Sequence, residues 1–239
     1  MSAISTIRRR VDPVKGSAAI QGELWGVWAR DWAELNEPAW RPVFEAALDV
    51  AELTSGKLLL DIGCGAGGAL VIARRRGAEV AGLDASANLA AIARKRLPGA
   101  RIEVGETEHL QFADETFDIV ISTNSFPFAS DLVNALSEAK RVLRRNGTLM
   151  MLVWGRREDC ELVSGTASAV FPLLPPGEPG TPPPLPLAEP NAIDEVMRQA
   201  GLEPTDASEF SAALAVPDAQ TAVRVVLSAS ARPPDFSLA

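Results

Sequence analysis

The chain has no tyrosine, a single histidine (His109) and two cysteines (Cys64 and Cys160) among 239 residues. Each shortage removes a class of chemistry. Two cysteines cannot build a disulfide framework, and with one histidine they fall short of a structural zinc site, so no metal is expected. The same scarcity suits a reducing, cytoplasmic setting. Positive charge is also short: 23 Lys and Arg against 31 Asp and Glu leave a net charge of −8. A nucleic-acid partner is thereby disfavoured, because neutralising phosphates takes a basic face. Arg8-Arg9-Arg10 is a lone basic run and reads as a solvated arm. No apolar stretch approaches the roughly 18 residues of a membrane span, and the first residues show no signal-peptide core. What remains is ordinary for a globular chain, 47% hydrophobic and 23% charged. It is long enough for one well-cored domain and hardly for two.

The most informative run is Leu58-Leu59-Leu60-Asp61-Ile62-Gly63-Cys64-Gly65-Ala66-Gly67-Gly68. An apolar strand ends on a carboxylate, breaks into alternating glycines, and resumes as a helix-forming stretch from Ala69 to Arg76. Glycines at this spacing let the backbone turn sharply and approach a ligand, and the following helix offers free N–H groups to it. The run marks a nucleoside-cofactor site.

Around it, short apolar runs alternate with helical ones. Strands are expected at Leu58–Ile62, Glu79–Asp84, Arg101–Gly105, Phe117–Thr123 and Thr148–Trp154. Helices are expected at Ala69–Arg76, Ser86–Leu97 and Leu132–Leu143, with a turn at Asn146-Gly147. This βαβ rhythm predicts an α/β, Rossmann-like, doubly wound, mostly parallel sheet with helices on both faces. Six to seven strands are expected, the sixth within Leu202–Leu214. Nine of the nineteen residues from Pro172 to Pro190 are proline, which excludes regular structure and predicts a surface connector. A helix over Asn191–Ala200 closes at Gly201, and Thr221–Leu227 reads as helical. Before the first strand, Trp25, Trp28 and Trp32 fall at helical spacing, and Glu37-Pro38 opens a helix through about Ala51. The tryptophan stripe either packs this segment onto the domain or forms an aromatic lid over a pocket. The expected organisation is a lid or arm over 1–36 and one domain over 37–239, with 155–190 as a proline-rich loop on the substrate side.

Alone, Gly63-x-Gly65-x-x-Gly68 with Asp84 further on also satisfies the dinucleotide fingerprint. Asp61 weighs against it, since a carboxylate there would repel a pyrophosphate but could hold an ammonium. The dearth of tyrosine and histidine leaves few groups for the proton transfer that accompanies hydride transfer. The run Gly105-Glu106-Thr107-Glu108-His109-Leu110-Gln111-Phe112-Ala113-Asp114-Glu115-Thr116-Phe117-Asp118 has no part in a dinucleotide site. Together, Asp61-x-Gly63-x-Gly65-x-Gly67, Asp84 and this run resemble class I S-adenosylmethionine-dependent methyltransferases. The nearest branch is the bacterial small-molecule group that includes ubiquinone and menaquinone biosynthesis enzymes. The likeness covers roughly residues 20–155.

The resemblance implies that Asp61 and the backbone of Gly63, Cys64, Gly65 and Gly67 hold the methionine part of S-adenosylmethionine. It implies that Asp84 accepts both ribose hydroxyls, that Ala85 and Ser86 line the adenosine, and that Glu106, Thr107 and Glu108 lie at the adenine edge. The family usually has a shorter Asp-Ala pair where Glu106-Thr107 stands. Thr123 and Asn124 end the fourth strand, toward the methionine and the substrate. The implied reaction is in-line methyl transfer to a small acceptor, with S-adenosylhomocysteine as product. Cys64 itself reads as a small filler, Asp118 as structural, and His109 as solvent-facing or structural. Glu158 and Asp159 are placed nearer an acceptor but also read as surface charges, and no catalytic residue is assigned. Trp25, Trp28, Phe126, Phe128 and Phe171 suggest a hydrophobic substrate pocket. A full seventh strand is hard to place, which leaves a sheet edge exposed or covered by a partner subunit, a homodimer being one form open to it. It also leaves open a cofactor-binding relative with impaired transfer, and more remotely an NAD-dependent oxidoreductase.

Overall fold

A computed structural model describes residues 16–156, 159–161, 187–189, 191–213 and 215–229. Five strands form one sheet in the order β3-β2-β1-β4-β5, with every neighbouring pair parallel. They are β1 (Leu58–Ile62), β2 (Glu79–Asp84), β3 (Arg101–Val104), β4 (Phe117–Thr123) and β5 (Leu143–Leu152). The central strands are buried on both faces, and their near-continuous apolar sequence follows from that. β5 begins earlier than its apolar run. Leu143 pairs with Phe117 before the register slips and resumes at Ile119–Thr148. The expected turn at Asn146-Gly147 is therefore an irregularity inside the strand, with Asn146 at φ +64°.

Helices cover both faces. One core packs α2 (Arg41–Val50), α3 (Gly68–Arg75) and α4 (Ala87–Arg96) against the sheet through Leu48, Leu70, Ala93 and Ile121. The other gathers Leu60, Val120, Phe117 and Leu136 under α5 (Leu132–Val142), with α6 (Ala192–Gln199) alongside. Ser86 caps α4 and Asp131 caps α5 through side-chain oxygens, so both helices start where their sequence signals stand. Gly201 follows α6 at φ +72°, a left-handed residue suited to ending a helix.

The segment before β1 is a broken helical run. It comprises α1 (Ala18–Val27), a turn at Ala29–Asp31, a π-helical turn at Trp32–Asn36 and a short turn at Glu37–Ala39 leading into α2. Trp28 leaves helical geometry, and the tryptophans thus do not lie on one straight helix. The last described helix, α7 (Ala219–Ser228), packs on this run. Buried Asn36 donates through Nδ2 to Ser228 Oγ at 2.6 Å and to Val225 O at 3.1 Å. Arg224 forms two hydrogen bonds to the Asp31 carboxylate.

The sixth strand expected within Leu202–Leu214 is absent from residues 202–213, which make no strand pairing. The described sheet has five strands instead of six to seven. Phe210 is 51% exposed there, without the cross-strand burial that would hold it. Glu158, Phe171, Leu214, the proline-rich residues 172–186 and Pro190 lie outside the described residues. No helix among the described residues is long and apolar enough to cross a membrane.

Candidate functional site

At the carboxyl ends of β1 and β2 the glycine run folds into a tight loop. The N–H groups of Gly63 and Cys64 both donate to Leu83 O, at 2.7 and 2.9 Å, which brings the end of β2 against the loop. Asp84 then spans the junction. Its Oδ2 accepts from Gly65 N at 2.8 Å and its Oδ1 from Ser86 N at 2.7 Å. Burial pushes its carboxyl up to about 6, against the two backbone hydrogen bonds, which favour the charged form. Helix capping at this point falls to Ser86, whose Oγ accepts from Leu89 N.

Asp61 is 1% exposed, and its Oδ1 has no hydrogen-bond partner. Burial drives its carboxyl well above the usual range, and the neighbouring charges of Asp84 and Glu37 push the same way. A buried carboxylate oxygen without a donor is costly, and a donor brought to the end of β1 would relieve that cost.

Glu37 was not singled out from the sequence, yet it closes the loop from the other side. Its Oε1 accepts from Ala66 N at 2.9 Å and Gly68 N at 3.2 Å, so it occupies the N-terminus of α3. Its Oε2 pairs with Arg96, which also donates to Ala66 O and Ala33 O. Burial raises the Glu37 carboxyl, in part offset by Arg96 and the two N–H groups. The signal available was weak: Glu37-Pro38 reads as a helix start, and Arg96 stands 59 residues away.

Gly65 has φ +55°, and a Cβ there would stand 2.9 Å from Trp32 Nε1 and 3.2 Å from Glu37 Oε1, so only glycine fits beneath this roof. The roof is a row of rings. Phe128 meets Trp25 at 5.6 Å, Trp25 meets Trp32 at 5.3 Å, and Trp32 meets Trp40 at 6.3 Å. Trp40 in turn meets Trp154, beyond β5, at 5.1 Å. Trp154 is 39% exposed.

Several expected site residues are engaged otherwise. Cys64 points its thiol toward Gly82 in the core, where burial raises its pKa, so only its backbone belongs to the loop. Phe126 is fully buried in the second core and cannot line a pocket, because the 3-10 turn Phe126–Phe128 turns it inward. Phe128, two residues on, faces Trp25. Trp28 is half-buried beside the helix break. Glu108 accepts from Ser130 N and Asp131 N at the start of α5, and Thr107 Oγ1 donates to Glu108. Glu106 accepts from Ala18 N. Thr123 pairs with Leu152 at the end of β4, and Asn124 follows at φ +60° with its N–H on Leu152 O. His109 is exposed, and Asp118 accepts from Leu58 N and Arg144, far from the carboxyl edge. Asp159 pairs with Arg156 at the surface. No cluster of metal-ligating side chains occurs among the described residues.

A doubly wound parallel sheet with a glycine loop between β1 and α3 defines a nucleoside-cofactor-binding α/β protein. Residues 60–151 match the family described as methyltransferase domain, in line with the resemblance drawn from the three motifs. A demethylmenaquinone methyltransferase of Thermotoga maritima is 34% identical over 116 residues, 47% of this chain and 49% of that protein. A malonyl-[acyl-carrier protein] O-methyltransferase of Serratia marcescens is 34% identical over 110 residues, 46% of this chain and 43% of that protein. The chain thus spans about half the length of these curated relatives. Among solved structures, a chain from the complex of the Haloferax volcanii Trm112 methyltransferase activator with a methyltransferase superposes with a TM-score of 0.60. It is 24% identical, with 76% of this chain and 77% of that one covered, and it attests the fold.

Proposed function

We propose that the protein transfers a methyl group from S-adenosylmethionine to a small apolar acceptor. The observation that carries this reading is the unpartnered, buried Oδ1 of Asp61. Asp61, Asp84 and Glu37 cluster around the glycine loop with Arg96 as a cation paired to Glu37, so the site holds an excess of carboxylates. A ligand bearing an ammonium and a sulfonium relieves that excess, whereas a pyrophosphate would add to it. Asp61 would take the ammonium, with the loop from Gly63 to Gly67 beneath it. Asp84 keeps lone pairs free for ribose hydroxyls after accepting from Gly65 and Ser86. Ala85, Ser86, Glu106 and Thr107 would enclose the adenosine, and Thr123 and Asn124 the methionine end.

The sulfonium supplies an already activated methyl group, so the chain's task is alignment and exclusion of water. The tryptophan-rich part of the segment 1–36 would serve as a lid, and the rings beyond α1, Trp32 and Trp40, with Phe128 and Trp154, would offer an apolar, π-rich wall to the acceptor. The demethylmenaquinone and malonyl-[acyl-carrier protein] in the relatives' names define the acceptors to try first. A sheet of six to seven strands and a homodimer are alternative ways to cover the edge of β5, which pairs with no further strand among the described residues. Sedimentation decides between them, a monomer favouring strands from the same chain. A chain with only two cysteines suits a reducing, cytoplasmic setting.

Thermal melting with S-adenosylhomocysteine and with NAD tests the cofactor. Stabilisation by the first alone is expected, and stabilisation by NAD alone overturns the proposal. Transfer of labelled methyl into phenols, amines, carboxylates and quinol-like lipids then identifies the acceptor.

A further inference from the structure

The residues that would enclose an adenosine are the ones on which α1 rests. Both Glu106 carboxylate oxygens lie 3.0 Å from Ala18 N, so Glu106 closes the first turn of α1. One turn further, Gly22 lies flush on the backbone after β2: a Cβ there would stand 2.3 Å from Ala85 O. A second turn on, a Cβ at Gly26 would meet Ser86 Oγ at 3.0 Å, and Gly26 O accepts from Asn88 Nδ2 at 3.0 Å. Glycine weakens a helix interior, and two of them one turn apart on the contacting face are what allow this approach. α1 therefore bridges the loop after β2 and the loop after β3. Between Gly22 and Ala85 there is no room for a methyl group, still less for an adenine ring.

The helix also has a joint. α1 ends at Val27, and Trp28 leaves helical geometry at φ −106°, ψ 24°. Beyond it the segment is pinned, by Asn36 to α7 and by Glu37 to the glycine loop. Motion would thus fall to α1 itself, which on leaving takes Trp25 off Trp32 and Phe128.

We propose that α1 is a gate over the adenosine end of the site: its docked position and an adenosine on Ala85, Ser86 and Glu106 exclude each other. The inference rests on the cofactor reading above and adds a regulation to it. The docked fraction of α1 lowers apparent cofactor affinity in proportion, and the cofactor drives α1 off about the Trp28 joint. Glu106, longer than the aspartate usual at this place in the resembling family, is what reaches Ala18.

The test uses the full chain, S-adenosylhomocysteine, calorimetric titration and hydrogen exchange over residues 17–27. Gly22→Leu cannot lie against Ala85 O yet favours the helix itself, so it undocks α1 without abolishing it. It is expected to bind S-adenosylhomocysteine about tenfold tighter than the parent. Asn88→Ala removes one latch, is expected to gain about threefold, and carries the comparison if Gly22→Leu fails to fold. In the parent, ligand should speed exchange in residues 17–27, because a ten-residue helix released into water is marginal. Unchanged or weaker binding by the variants, or ligand protection of residues 17–27, overturns the gate while leaving the cofactor reading intact. Binding by Gly22→Leu alone supports the gate as shut in the parent. Binding by none of the proteins overturns the cofactor reading and the gate with it.

Discussion

Replacing Asp61 by asparagine should make the ligand-free protein more stable and nearly blind to its cofactor. Asp61 is as buried as Asp84 and, at Oδ1, lacks the backbone donors that Asp84 has. For Asp84 the rise from 3.8 to about 6 already corresponds to about 3 kcal/mol of disfavoured ionisation, at about 1.4 kcal/mol per unit. Asp61→Asn keeps the volume and removes the charge, so a gain of about 1–4 kcal/mol is expected at pH 7. At about 2–4 °C per kcal/mol for a chain of this size, Tm should rise clearly in calorimetry. The sign against pH follows from the direction of the shifts. A carboxyl raised on folding binds more protons folded than unfolded, so its contribution to stability is fully present below the unfolded value and is lost as pH rises through the folded one. For Asp84 that window runs from about pH 4 to about pH 6. Asp61 adds a loss in the same direction, and the variant should lack it. Ligand response goes the other way, since removing one partner of a buried charge pair costs about 2–5 kcal/mol, or roughly 30-fold or more in affinity for S-adenosylhomocysteine. A variant with unaltered or lower Tm and undiminished affinity would refute the reasoning.

Other outcomes follow from the same geometry. Glu37→Ala should cost about 2–4 kcal/mol in urea unfolding, because it strands Arg96 and two N–H groups of the loop; the partial exposure of Arg96 sets the lower end. Glu37→Gln should cost less, since it keeps an acceptor for Ala66 and Gly68. Asp84→Ala should weaken S-adenosylhomocysteine binding without unfolding the protein, and unchanged affinity in titration would show that Asp84 takes no part in binding it. For the parent, the melting shift given by S-adenosylhomocysteine should grow from pH 5 to pH 7, as the Asp84 carboxyl, at about 6, becomes charged to receive its donors. Asn36→Ala should cost about 1–3 kcal/mol and speed hydrogen exchange in α7.

The sheet was legible where burial leaves little choice. Leu58–Ile62, Glu79–Asp84 and Phe117–Thr123 stand where their apolar runs predict them, since strands covered on both faces must be apolar throughout. Asn146-Gly147 misled, because a left-handed residue serves a bulge in β5 as readily as a turn. Phe126 and Phe128 look alike in sequence, and only the 3-10 turn between them decides which enters the core. Asp61, Asp84 and the glycines announced themselves by local spacing. Glu37 with Arg96, and Glu106 with Ala18, did not, because their meaning lies in partners brought together by the topology.

The bond of Asn36 to Val225 and Ser228 has a consequence for how the protein comes into being. Trp32 and Glu37 form the roof of the glycine loop, yet the π-turn they flank leans on a helix nearly two hundred residues downstream. During synthesis the sheet from β1 to β5 can assemble first, and α7 is translated long after the roof. The nascent chain thus carries its glycine loop with an unsupported cover until α7 clears the ribosome. The roof over the loop is then completed late in the growing chain, once Asn36 and α7 have met.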